Sequence, residues 1–335
     1  MTPAVRVPRT LLAGKGLEEL VRESIGEVTR LVRRPAAYRS SAHLEEVDAW
    51  RPDGSVVAVV LKSHGRVFAP RGTPSVRPDF MIDPTREAFL YERVLQPDRV
   101  AAPRLFGVQS DCEAGWSRIL LERVDARVLW QCESATWREV ASWLGSHHAR
   151  YGADRTTEFE SGLIHMDRTF HRRWFERASE FASPCDPRTL DVFTRLGIVY
   201  DQVLDALDEA PQGFVHGEFF PSNILIRRAE LNGSRVCAID WESGGRGPCL
   251  LDLAALTAGG WSAGARRDVE SAYRDAVGSD GNRVPKDVDF RRSLAAARIQ
   301  LALVQLGWSR GWLPPAEHRH DWMADIAALV RSEFE

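Results

Sequence analysis

Two hydrophobic periods divide the chain. Up to about Val124 the apolar residues fall in short, closely spaced runs; beyond it they recur every three or four positions. A first helix is predicted over Leu11–Ile25, with Leu17, Leu20, Val21 and Ile25 on one face. Three strands are predicted next, over Val28–Val32, Ala42–Trp50 and Ser55–Lys62, the last two joined by the turn Arg51-Pro52-Asp53-Gly54. Val56–Leu61 is continuously apolar, which places that strand centrally in its sheet. Asp83-Pro84 supplies an N-cap acceptor and a first-turn proline, so a helix should run from there and stop before Pro97. Strands over Arg104–Val108 and Arg118–Val124 complete a β-β-β-α-β-β pattern.

The remainder reads as helical. Thr136 and Glu139 have capping-box spacing ahead of Val140, Ala141, Leu144 and His148. Further helices are predicted over Met166–Ala182, Pro187–Leu207, Ala265–Val277, Phe290–Leu306 and His320–Phe334. A β-like island interrupts them at Phe214–His216, Ile224–Arg227 and Arg235–Ile239.

With 335 residues, the chain is long enough for two lobes with a core each. No uncharged apolar run reaches the ~18 residues of a membrane span, and the first twenty residues lack the apolar stretch of a secretory signal. Five scattered cysteines without a CxxC pair argue against a disulfide framework or a zinc site, and for a reducing cytoplasm. The net charge of −3 divides into +3 up to Val124 and −6 after it, which excludes the strongly basic surface of a nucleic-acid binder. Only Lys15, Lys62 and Lys286 are lysines, against 41 arginines, so each lysine is informative. Nothing in the sequence bears on oligomeric state.

The island carries the chemistry. Glu218 and Asn223 lie five apart on a loop between apolar strands, and Asp240 closes the next strand. Phosphoryl transfer to a hydroxyl uses such a set: one carboxylate orients the acceptor, while an amide oxygen and a second carboxylate hold Mg²⁺ against the phosphates.

The motif His216-Gly217-Glu218, Asn223, Ile239-Asp240-Trp241-Glu242, Gly247-Pro248 and Asp252-Leu253-Ala254 resembles that of the aminoglycoside phosphotransferase/choline kinase-like family, with every spacing kept. The resemblance implies an α+β, bilobal protein-kinase-like fold, with a β-rich N-lobe over residues 1–124 and a mainly helical C-lobe over 125–335. It implies an ATP- (or GTP-) and Mg²⁺-dependent kinase acting on a hydroxyl of a small molecule: an antibiotic, natural product or sugar-like metabolite, with a resistance or self-protection role. By the same resemblance Asn223 and Asp240 are metal ligands, Glu218 takes the catalytic-base position, His216 braces the loop and Asp252 anchors the segment behind the metal ligand. Lys62 would contact the phosphates with Glu87 as its ion-pair partner. The segment Leu121–Val124, with Glu122 and Val124, would be the hinge against the nucleotide base. The late helices would form the acceptor wall, with Glu242, Trp261, Trp308 and Trp312 as candidates.

Two departures bear on activity. Glu218 stands where the family has aspartate, and one extra methylene displaces a carboxylate by about 1.5 Å on a fixed backbone. The stretch Arg34–Ala42, where a phosphate loop is expected, has no glycine and offers Ser40 and Ser41 instead. Both leave a second reading open, a catalytically inactive kinase-like binding or regulatory protein. His147 and His148 are adjacent, so they point to different helix faces, cannot both ligate one metal, and are read as core or surface residues.

Overall fold

The computed structural model describes residues 15–36, 43–68, 77–182, 187–231, 233–279, 287–308 and 320–335. Ser40, Ser41 and Trp312 lie outside the described residues. The chain forms two compact units. The first takes the described residues of Met1–Ser75 with Ile82–Arg127 and Leu225–Glu242; the second takes Val76–Met81, Val128–Ile224 and Ser243–Glu335.

In the first unit, strands β1 (Arg30–Pro35), β2 (His43–Trp50), β3 (Val56–His64), β4 (Leu105–Asp111) and β5 (Trp116–Glu122) form one sheet in the order β1-β2-β3-β5-β4. All its pairings are antiparallel. The apolar strand β3 is its centre, as its composition requires. Helix α1 (Lys15–Ile25) sets Leu17, Leu20, Val21 and Ile25 against Val47, Ala49, Val59, Leu61 and Leu120. Because side chains alternate along a strand, Lys62 and His64 point away from the face that carries Val59 and Leu61.

Helix α2 (Arg86–Leu90) continues as a π-helical turn over Tyr91–Leu95. It begins later than the Asp83-Pro84 start predicted from sequence. Asp83 Oδ1 accepts the Thr85 N–H at 2.9 Å and the Thr85 hydroxyl at 2.8 Å, so Pro84 and Thr85 form a turn ahead of the first helical residue. Strand β9 (Ile224–Leu231) pairs with β10 (Ser234–Ala238) on one side and with the short β6 (Ala126–Val128) on the other.

The second unit is mainly helical: α3 (Ser134–Arg150), α4 (Arg168–Ala182), α5 (Pro187–Asp208), α6 (Leu250–Leu256), α7 (Ala263–Ser279), α8 (Asp287–Gly307) and α9 (Trp322–Glu333). Helix α8 runs through the middle of this unit, packing on α4, α5, α6 and α9. Thr136 falls inside α3, whose N-cap is Glu133 with no side-chain cap bond, so the capping box expected at Thr136 and Glu139 does not form. Strands β7 (Ile164–His165), β11 (Gly245–Pro248) and β8 (Gln212–Val215) form a small sheet with β11 central, parallel to β7 and antiparallel to β8. This sheet supports the loop that follows β8. Among the described residues no helix is long and apolar enough to cross a membrane.

Candidate active site

The first unit collects Lys62, Glu87 and Asp240. Register places Lys62 of β3 opposite Leu44 of β2 and Ile119 of β5, a buried central position. Its ammonium lies 2.7 Å from Glu87 Oε2, in the first turn of α2, and 2.5 Å from Asp240 Oδ1, two residues beyond β10. The Lys62 side chain is 5% exposed and that of Glu87 1%, so an isolated charge at either position would be costly. Burial alone lowers a lysine pKa, yet the carboxylates of Asp240, Glu87 and Glu242 overcome it and hold Lys62 protonated. Glu87 shows the mirror balance: burial pushes its carboxyl up, while Lys62 and His64 pull it below the ordinary value. Glu87 Oε1 also accepts the Trp241 N–H at 3.1 Å. Asp240 adopts φ +67°, a left-handed conformation that a short polar side chain tolerates, and such residues cluster at functional sites.

The second unit holds the loop after β8. Asp252 of α6, 1% exposed, accepts the backbone N–H of His216 at 2.7 Å and of Gly217 at 2.9 Å. His148 of α3 reaches the same carboxylate at 3.2 Å and takes the Tyr273 hydroxyl at 3.0 Å on its other nitrogen. Burial pushes the Asp252 carboxyl up, but His148 and the loop contacts lower it overall, so it stays an anion and an acceptor. Gly217 has φ +82°, and a Cβ there would run into the Ser243 carbonyl oxygen, so only glycine fits between His216 and Glu218.

The loop then braces itself. His216 Nδ1 accepts the Glu218 N–H at 3.3 Å, which assigns the ring proton to Nε2 when the ring is neutral. The Glu218 carbonyl accepts the Phe220 N–H at 2.7 Å and Asn223 Nδ2 at 2.9 Å. That bond orients the Asn223 amide and leaves Oδ1 as its acceptor end, a hard oxygen of the kind Mg²⁺ prefers, as is the Asp240 carboxylate. The donor chemistry therefore fits the metal. Glu218 lies 4.0 Å from the Arg77 guanidinium, which also packs over the Trp308 ring at 5.4 Å.

The other candidates are placed as follows. Glu122 accepts a bidentate Arg227 at 2.6 and 2.9 Å and the Arg104 N–H at 3.1 Å, so its side chain is turned onto its own unit. Val124 is half-buried in the segment after β5. Glu242 is buried, 3.4 Å from His64. Trp261 meets Trp137 edge to face at 4.8 Å and Trp308 stacks on Trp174 at 5.9 Å. Sequence reasoning missed His64, Arg77, Arg227 and the role of His148. Of these only His64 carried a signal, its place two residues after Lys62 on the same strand face.

A central-strand lysine tied to a helical glutamate in one unit, and a carboxylate–asparagine loop in a mainly helical second unit, are the parts of a kinase-like fold. The chain belongs to the phosphotransferase enzyme family, whose model matches residues 83–291, more than half of its length. No curated protein matches the sequence. Among solved structures it is similar to the choline kinase LicA from Streptococcus pneumoniae (16% identity, TM-score 0.56, covering 94% of this chain and 98% of that one). It is also similar to an ethanolamine kinase of Plasmodium vivax (11% identity, TM-score 0.57, covering 97% and 86%). A third is the GDP complex of aminoglycoside 2'-phosphotransferase-IIIa (11% identity, TM-score 0.58, covering 95% and 97%).

Proposed function

We propose that this phosphotransferase moves the γ-phosphoryl group of ATP or GTP to a hydroxyl of a small molecule. The observation that carries this reading is the buried Lys62, paired with Glu87 at 2.7 Å and Asp240 at 2.5 Å, which supplies a fixed point charge for phosphate and a carboxylate for metal. In this reading Asn223 and Asp240 hold Mg²⁺, which neutralises charge on the phosphates when bound. Lys62 contacts the phosphates, and the backbone of Leu121–Val124 meets the base. Glu218 accepts the proton of the acceptor hydroxyl as its oxygen bonds to the γ-phosphorus and the bond to the β-phosphate oxygen breaks, that oxygen keeping the electron pair. His216 and Asp252 position the loop. Phosphoryl transfer is mostly positioning and charge stabilisation, so a glutamate set by a braced loop can serve where the family has aspartate.

Charge narrows the acceptor. A polycationic aminoglycoside calls for a dense carboxylate pocket, and −6 over residues 125–335 is only mildly acidic. A neutral hydroxylated metabolite or natural product fits better, and a resistance or self-protection role follows if that product is an antibiotic. A cytoplasmic site, where nucleoside triphosphates are plentiful, agrees with the unpaired cysteines. The second reading, an inactive ligand binder, draws on Glu218 itself.

The test is a screen of hydroxylated antibiotics, sugars and natural products for Mg²⁺-dependent transfer of γ-labelled phosphate. Labelled product that vanishes with EDTA is the expected result. Failure of the protein to bind Mg·ATP or Mg·GTP in a thermal-shift titration would sink the kinase reading and leave the inactive binder.

A further inference from the structure

The segment Leu121–Val124 begins in the last residues of β5, in the large sheet, and runs on to β6, in the sheet of β9 and β10. One buried side chain joins the two sheets at this crossing. Arg227 of β9 is 7% exposed, and its guanidinium holds both carboxylate oxygens of Glu122, the last residue of β5, at 2.6 and 2.9 Å. The same guanidinium donates to the Ala102 carbonyl, ahead of β4, at 3.4 Å and to the Cys237 sulfur of β10 at 3.5 Å. Glu122 is the one carboxylate that pairs with it among the described residues. The Glu122 N–H donates to the Arg104 carbonyl at 2.8 Å, and the Arg104 N–H returns to the Glu122 carboxylate at 3.1 Å. Register ties this point to Lys62. Glu122 lies opposite Val59 and Ile119 opposite Lys62, so the segment starts three residues, about 10 Å, along β5 from the neighbour of Lys62.

We propose that Arg227 is the positioning residue for the nucleotide base: its fork on Glu122 holds the backbone of Leu121–Val124 at a fixed place relative to Lys62. This rests on reading that segment as the contact for the nucleotide base and Lys62 as the contact for phosphate. A bidentate guanidinium–carboxylate pair fixes direction as well as distance, which the single point charge of a lysine does not. Because the pair reaches from β9 to β5, it sets where the segment lies between the two sheets. Hydrogen bonds to a base need donor and acceptor about 2.9 Å apart and nearly in line, so a shift of about 1 Å in the backbone loses them. Attraction between Lys62 and phosphate falls off more slowly with distance, so loss of the fork should be felt at the base and spared at the phosphates.

The experiment compares adenosine, which carries the base without phosphates, with Mg·tripolyphosphate, which carries phosphates without the base, on the full chain by calorimetry. Arg227→Gln and Arg227→Lys, the second keeping the charge but not the fork, should each weaken adenosine binding tenfold or more while Mg·tripolyphosphate stays within twofold. Equal losses for both ligands would show a merely structural role, and unchanged adenosine affinity would likewise overturn the proposal. Glu122→Gln should give the same selective loss, and the double variant Arg227→Gln/Glu122→Gln should bind adenosine within twofold of the weaker single variant; additive losses mean the two residues act apart. Should the Arg227 variants fail to fold, Glu122→Gln decides alone, and no selective loss there counts against the proposal. Independently, adenosine should slow hydrogen exchange at residues 121–124 in the wild type. Adenosine that binds without protecting them would refute the base role of this segment, and with it the proposal, while leaving the kinase reading in place. A wild type that binds neither adenosine nor Mg·ATP would instead refute the kinase reading itself.

Discussion

A carboxylate that pairs a buried lysine and is proposed as a metal ligand can be probed by removing only its charge. Asp240→Asn keeps size and one oxygen but loses the anion held 2.5 Å from Lys62, so phosphoryl transfer should fall below a tenth of the wild-type rate. A variant above that level removes Asp240 from metal binding. Lys62→Ala and Glu87→Ala should each depress nucleotide use, the second more mildly. Because the two share one ion pair, a double-mutant cycle should show a coupling of about 0.5–3 kcal/mol; strictly additive effects on kcat/KM would mean they act apart. Glu218→Gln keeps shape and loses the base, which should cost roughly 10²–10⁴-fold in single-turnover transfer with Mg·ATP affinity unchanged. Glu218→Asp should not raise the rate above that of the wild type, since Asn223 and His216 fix the Glu218 backbone and the shorter side chain would not reach as far. At this scale motif spacing names the residues proposed to react. Their partners it does not name: nothing in the sequence tells that Arg227 takes up Glu122, or that His148 reaches Asp252 from 104 positions away.

Elements were legible where one face is apolar and the other polar, or where a continuous apolar run marks a buried strand such as β3. Helix α1, the strands of the large sheet and helices α4, α5, α7, α8 and α9 follow their hydrophobic periods to within a few residues. The pattern fails where an element is buried all round or too short to have a face. Helix α6 is buried at nearly every position, so Leu250–Leu256 shows no helical period. Strand β11 reads Gly-Arg-Gly-Pro and owes its strand conformation to pairing on both sides, not to propensity. A single boundary at Val124 also misses that residues 225–242, far along the chain, group with the first unit. The obscure elements are the ones that position the loop, which gives a sharp test of the anchor. Asp252→Ala would leave the His216 and Gly217 N–H groups without their acceptor, at about 1–3 kcal/mol for each buried donor. Hydrogen exchange should accelerate first at residues 216–223; unchanged protection there would mean the loop is held by other contacts.

For the molecule as a whole, the buried titratable groups predict how acid undoes it. Burial, with His148 alongside, drives His147 down from 6.5 to about 3. Burial likewise takes His171 from 6.5 to about 4. Between 6.5 and those values the unfolded chain binds a proton at each site that the folded chain does not, so stability falls as pH falls through that window. Asp252 adds to the loss lower down. Its folded pKa lies below the ordinary 3.8, so its contribution is complete above 3.8 and is lost as pH drops through the folded value. All three groups belong to the second unit, so acid should open that unit in two stages, the first driven by histidine and well above the range where carboxylates protonate. Thermal unfolding at pH 7.5, 6, 5 and 4 should show Tm already falling between 7.5 and 5. His171→Leu, which has no proton to take up, should flatten that fall even if it shifts Tm at pH 7.5. A Tm independent of pH down to 5, or an equal slope in His171→Leu, would mean that the buried histidines already carry their protons in the folded chain, or that another group controls the first stage.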